Sequence, residues 1–89
     1  PRPLLVAYRG DRAKAEAVRV AAEIRSAGRQ AVVAPNRSLK AQLRYASALS
    51  ATGVLILGEI ELAGGTVTYR DMATGEQREI DRTSLQTVP

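Results

Sequence analysis

The sequence predicts an α/β domain of three layers: a mixed sheet of about five strands, parallel in its first part and ending in a C-terminal antiparallel hairpin, flanked by about three helices. Three observations lead there. The runs LLVAY (4–8) and VLIL (54–57) are apolar without alternation, as strands covered on both faces are. Amphipathic stretches with helical spacing lie between them. From Thr66 the pattern alternates strictly, then turns and returns.

The elements follow in order. Leu4 to Tyr8 is the first strand and feeds a turn at Arg9 and Gly10. Asp11 reads as an N-cap before a helix over Arg12–Ala27, in which Ala13, Ala17, Val20, Ala21 and Ile24 share one face and Gly28 closes the end. The opposite face carries Arg12, Glu16, Arg19 and Glu23, opposite charges at helical spacing that describe a solvated surface. Gln30–Ala34 is a second short strand. The loop Pro35-Asn36-Arg37 then leads to Ser38, the N-cap of a second helix. Its buried stripe is expected to be Leu39, Leu43, Ala46 and Leu49 or Ser50, while Lys40, Arg44 and Ser47 form a basic face.

Val54–Leu57 is the middle strand, ended by Gly58. Glu59–Ala63 has room for one helical turn, and Gly64-Gly65 makes a bend requiring positive φ. Thr66–Asp71 places Val67 and Tyr69 on one face and Thr66, Thr68 and Arg70 on the other; Met72–Gly75 turns the chain into Gln77–Ile80. Asp81 is expected to cap a final turn through Leu85. Right-handed crossovers place the first strand between the second and third. Ligands of such sheets sit beyond the carboxyl ends of the parallel strands, which brings Arg9 and Gly10, the Asn36-Arg37 loop and Gly58–Glu61 to one edge.

Composition bounds the chemistry. The 89 residues suffice for one domain over 1–89, and 45% apolar with 25% charged content lies within the globular range. The chain has neither Cys nor His. Disulfide frameworks, thiolate nucleophiles, zinc sites of the usual ligands, imidazole acid-base catalysis and Ser-His triads are thereby excluded. No catalytic residue, metal site or cofactor site is expected. No apolar run reaches the ~18 residues of a membrane span, and PRPLLVAYRG is interrupted by charge too early for a signal peptide, so a cytoplasmic protein without a membrane partner is the expectation.

Charge is unevenly placed. Residues 1–45 hold ten Lys/Arg against three Asp/Glu, and residues 46–89 hold three against six. A basic first half points to a polyanion. With Tyr8, Tyr45 and Tyr69 as the only aromatics, binding would rest on charge and hydrogen bonds rather than a stacking platform. Each tyrosine reads first as a packing residue, Tyr45 being the one to test for contact.

Glu59 and Glu61 follow the middle strand two residues apart. They admit three readings: a metal or acid-base pair, simple solvation, or acceptance of hydrogen bonds from the amino edge of an unstacked base. The opening Gly10-Asp11-Arg12-Ala13-Lys14 matches neither phosphate-loop pattern, so no nucleotide-cofactor site is expected.

The stretch RSLKAQLRYASALSATGVLILGEIELAGGTVTYRDMATGEQREI from residue 37 resembles the C-terminal anticodon-binding domain of class II histidyl-tRNA synthetases. The resemblance rests on Arg37-Ser38-Leu39-Lys40-x-Gln42-Leu43-x-Tyr45-Ala46, on Leu57-Gly58-Glu59-x-Glu61-Leu62-Ala63, on Gly65-Thr66-Val67-Thr68 and on Asp71-Met72-x-Thr74-Gly75-Glu76-Gln77. The opening strand and helix resemble the same domain less distinctively. The resemblance implies an anticodon-binding fold and a module that docks the anticodon stem-loop of histidine tRNA, the rest of the synthetase, a homodimer, performing aminoacylation.

By the same resemblance, Glu61 and Arg70 are expected to hydrogen-bond base edges, with Glu59 beside them. Asn36 would meet a base or ribose, and Arg37, Lys40 and Arg44 the phosphate backbone. Cations hold the polyanion without reading it, whereas carboxylates and amides distinguish base edges. Pro35-Asn36 departs from the acidic or glycine-containing stretch of many relatives. The class II catalytic motifs are absent from these 89 residues, so no catalysis is expected of this chain. The alternative is a free-standing synthetase-like domain reused for protein interaction or dimerisation.

Overall fold

The computed structural model describes residues 2–89. A five-stranded sheet has the order β2-β1-β3-β4-β5. Its strands are β1 (Leu4–Tyr8), β2 (Ala31–Val33), β3 (Gly53–Leu57), β4 (Thr66–Asp71) and β5 (Gln77–Asp81). β1 pairs in parallel with both β2 and β3, whereas β3–β4 and β4–β5 are antiparallel. The helices are α1 (Asp11–Ser26), α2 (Leu39–Ala48) and α3 (Glu59–Gly64), and a 3-10 turn, Leu85–Thr87, follows β5. The mixed sheet with β1 between β2 and β3 is the expected architecture. The two crossovers run in opposite directions, from β1 to β2 through α1 and from β2 back past β1 to β3 through α2, and so place α1 and α2 on opposite faces.

The core follows from apolar periodicity. Every residue of β1 and β3 is buried, and the whole predicted stripe of α1, Ala13, Ala17, Val20, Ala21 and Ile24, lies against the sheet. Small alanines let α1 approach closely, and Gly53 does the same for β4, because a Cβ there would run into the Tyr69 ring. Tyr8 and Tyr69 are packing residues, as expected.

Several local expectations are corrected. α1 begins at Asp11, not Arg12. Gly10, at φ 94°, occupies the N-cap position, and no side chain caps the helix, so Asp11 lies in the first turn. A left-handed residue is needed where the strand swings into the helix, and glycine meets that need without strain. β2 is shorter than Gln30–Ala34, yet Gln30 O accepts from Leu4 N and Ala34 N donates to Val6 O, so the ladder continues one residue each way. Asp81 ends β5 instead of capping a helix: its carboxylate accepts from the N–H and hydroxyl of Thr83, in a turn before the 3-10 segment. Those bonds hold its carboxyl below the usual range.

The face of α1 expected to be solvated is partly tied down. Arg82 Nε donates to Glu16 Oε2 at 2.8 Å, and its terminal nitrogens hold Glu23 at 2.6 and 3.1 Å. Side-chain hydrogen bonds from Arg82 keep both carboxyls below their ordinary range and raise the guanidinium above its own. A contact spanning 59 and 66 residues has no local signature in sequence.

Candidate nucleic-acid interface

The carboxyl ends of β1, β2 and β3 open onto one edge of the sheet, and the loops leaving them build the candidate site. β1 continues into Arg9, whose N–H donates to Leu57 O at 2.9 Å. β2 leads through Pro35 to a bend at Asn36 and Arg37, both exposed. Ser38 then caps α2 as expected, its hydroxyl accepting from Ala41 N at 3.2 Å. β3 ends at Gly58, where α3 starts.

Between these loops lies a groove of about 430 Å³ lined by Arg9, Leu39, Ile56, Glu59, Ile60, Glu61, Thr68 and Gln77. Its floor is apolar and its rim is charged. Ile60 is 81% exposed at the lip, an unusual position for an isoleucine.

The edge beside the groove is basic. Lys40 and Arg44 stand four residues apart on the exposed side of α2, near Arg37 at the preceding bend, and α2 contains no acidic residue. Arg37, Lys40 and Arg44 make no ion pair among the described residues. Tyr45, 39% exposed on the same helix, is the most accessible of the tyrosines.

The groove lining itself includes two carboxylates, and they differ. Glu61 turns inward: Oε1 accepts from the N-cap N–H of Gly58 at 2.8 Å, the half of a capping box that a glycine N-cap allows, and Oε2 accepts from the Thr68 hydroxyl at 3.0 Å. Glu59 is exposed and has no hydrogen-bond partner among the described side chains. Glu61 therefore fastens α3 to β4, and Glu59 is the carboxylate presented outward. No cluster of three or more acidic residues that would hold a metal occurs among the described residues.

Arg70 lies elsewhere. It pairs across the sheet with Val54, at the opposite end of β3 from Gly58, because β4 runs antiparallel and carries it away from the edge. Its Nη1 donates to Gln77 Oε1 at 3.0 Å, and Gln77 lines the groove, so Arg70 adjoins the site through that side chain. The loop residues Asn36 and Arg37, the helical Lys40 and the acidic Glu59 and Glu61 come to the edge, with Arg44 one turn further along α2.

Gln42 is the residue that the apolar reading of α2 passed over. It is wholly buried together with Ala46, while Leu39, Leu43 and Leu49 are only partly covered. Its Oε1 accepts from Tyr8 N at 2.9 Å, and its Nε2 donates to Tyr8 O at 2.9 Å and to Arg37 O at 2.7 Å. The signal was present in the spacing: position 42 stands three after Leu39 and four before Ala46, on the helix's inner face.

A family model described as anticodon binding domain matches residues 4–88. The chain belongs to this anticodon-binding-domain family. It is 42% identical over 80 residues to the histidine–tRNA ligase of Thermosipho melanesiensis, covering 89% of this chain and 19% of that protein. To the histidine–tRNA ligase of Anoxybacillus flavithermus it is 47% identical over 72 residues, covering 80% and 17%. This anticodon-binding domain thus spans less than a fifth of the length of those curated relatives.

Solved structures agree on the fold. The apo S. aureus histidyl-tRNA synthetase matches with a TM-score of 0.87 at 28% identity, over 94% of this chain and 25% of that one. The RNA binding domain of threonyl-tRNA synthetase from Cryptosporidium parvum Iowa II matches at 0.86 and 22% identity, over 96% and 22%, a likeness of fold alone. No helix among the described residues is long and apolar enough to cross a membrane.

Proposed function

We propose that residues 1–89 act as a single tRNA-binding module that docks the anticodon loop of histidine tRNA on the carboxyl edge of the sheet and performs no chemistry itself. The observation that carries this reading is that a basic loop and helix start come to the same sheet edge as a groove holding an outward carboxylate. The cations of Arg37 and α2, without ion pairs among the described residues, and the outward carboxylate of α3 leave the same edge of the sheet, in a chain whose relatives are histidine–tRNA ligases. Backbone phosphates need mobile, solvated cations, and an unstacked base needs an acceptor for its amino edge.

In this reading Arg37, Lys40 and Arg44 hold phosphates, and Asn36 meets a base or ribose. Glu59 accepts from a base edge. Glu61, with both oxygens engaged by Gly58 and Thr68, acts by positioning α3. Arg70 contributes through Gln77 at the far side of the groove. Within a longer synthetase, cytoplasmic and homodimeric, this recognition would be coupled to aminoacylation at a distant active site.

The test is binding, at fixed moderate salt, to a stem-loop carrying GUG and to one with those bases scrambled. Preference for GUG is expected, with a log-log salt slope near about −2 for roughly three single-strand phosphate contacts. A flat salt response without anticodon preference overturns the reading. Self-association seen by sedimentation in place of RNA binding would favour reuse as a protein-interaction module.

A further inference from the structure

We propose that Gln42 is a positioning residue of this interface: without touching RNA, it sets the Arg37 loop and the start of α2 against the end of β1. The inference rests on the RNA-binding reading above.

The argument begins with an unfilled ladder. β2 pairs with β1 only as far as Val33 opposite Val6, and one further bond follows, from Ala34 N to Val6 O. The chain then leaves the sheet at Pro35, which has no N–H to give. β3 serves the other side of β1 as far as Tyr8, and Arg9 N continues that pairing by donating to Leu57 O. On the β2 side the N–H and C=O of Tyr8 would be buried without partners, which a folded chain avoids.

The Gln42 carboxamide takes both, accepting from Tyr8 N and donating to Tyr8 O at 2.9 Å each, in place of the two β2 backbone groups that a longer parallel ladder would supply. Its second Nε2 hydrogen goes to Arg37 O at 2.7 Å. One side-chain amide thus replaces the missing stretch of strand and, through the same nitrogen, holds the loop that departed. That substitution lets the Asn36-Arg37 bend project beyond the sheet while its base stays registered to β1. An apolar side chain of similar size would fill the space and do neither. A buried amide with its main hydrogen bonds made is rigid, because every alternative orientation leaves a polar atom unsatisfied.

The experiment compares the wild-type chain, Gln42→Met, Arg37→Ala and the double variant, titrated with the GUG stem-loop. Circular dichroism establishes that each is folded. Gln42→Met is expected to weaken binding about tenfold, and by less than about threefold when Arg37 is already alanine, because both changes act through one loop. The cost of Arg44→Ala, one turn beyond the start of α2, should by contrast combine additively with that of Gln42→Met.

A folded Gln42→Met with wild-type affinity, or full additivity with Arg37→Ala, overturns the inference and leaves the RNA-binding reading intact. Absence of RNA binding by the wild-type chain overturns that reading and this inference together. Should Gln42→Met not fold, the wild-type NMR spectrum decides. The side-chain amide protons of Gln42 should stay protected from exchange and shift along the same titration curve as the Arg37 amide. Their failure to shift overturns the proposal.

Discussion

α1 and α2 flank the same sheet and spend their charges in opposite ways. On α1, Glu16 and Glu23 are drawn into a cluster with Arg82, and Arg19 adds a contact to Glu16 at 3.3 Å. On α2, which has no acidic residue, Lys40 and Arg44 project into solvent without an ion pair among the described residues. The buried sides are reversed too: α1 covers the sheet with apolar residues alone, while α2 sends in Gln42. One helix uses charge to close the fold, and the other uses an internal amide to order a loop and leaves its charge for a partner.

The sharpest test of that division is Arg82→Ala. It should cost about 2 kcal/mol of folding stability, since Arg82 and Glu16 are mostly buried and the bonds to Glu23 are charge-assisted, with the exposure of Glu23 limiting the total. Urea unfolding measures this, and stem-loop affinity should stay unchanged; a parallel loss of RNA binding would erase the contrast between the helices. The same cluster sets an acid response. Glu16 and Glu23 titrate below their unfolded range, so their contribution is complete above that range and is lost as pH falls through the lowered folded values. The unfolding midpoint of the wild type should therefore fall more steeply on acidification than that of Arg82→Ala.

On α2 the pattern should invert. Lys40→Ala combined with Arg44→Ala should leave stability within about 0.5 kcal/mol. Stem-loop affinity should drop about tenfold, and the salt slope should flatten by about 1.4, as for two lost single-strand phosphate contacts. An unchanged slope would mean that these cations do not face phosphate.

The two carboxylates of α3 sharpen the contrast at smaller scale. Glu61→Ala should cost about 1 kcal/mol by leaving the Gly58 N–H without its acceptor and freeing Thr68. Glu59→Ala should leave the unfolding midpoint in place and weaken the preference for GUG. If the two effects were exchanged, the inward and outward roles assigned to these residues would be exchanged with them.

The smallest expected effect lies at the C-terminus of α2, where Ser50 takes φ 56° and Ala51 N reaches back to Ala46 O at 2.9 Å. Glycine is favoured at such a helix end. Ser50→Gly should raise stability by about 0.5 kcal/mol in thermal unfolding, without effect on RNA.

Period and punctuation carry the local elements in the sequence. The stripe of α1, the double-sided burial of β1 and β3, the Ser38 cap, the left-handed turn at Gly65 and the alternation of β4 each depend on neighbours a few residues apart; Gly64, expected to share that bend, instead ends α3. Apolar spacing and turn chemistry are sufficient to specify them. Crossover handedness extends that logic to strand order, and strand order brings the loops to one edge.

Tertiary structure decided what long-range pairing and burial alone can decide. Arg82 finds Glu16 and Glu23 across the fold, antiparallel β4 carries Arg70 away from the edge, and Glu61 turns inward while Glu59 does not. Gln42 shows the division within one residue. Its place on the inner face of α2 is written in the helical repeat, but its task exists only because β2 ends before Tyr8 and leaves a peptide group to satisfy.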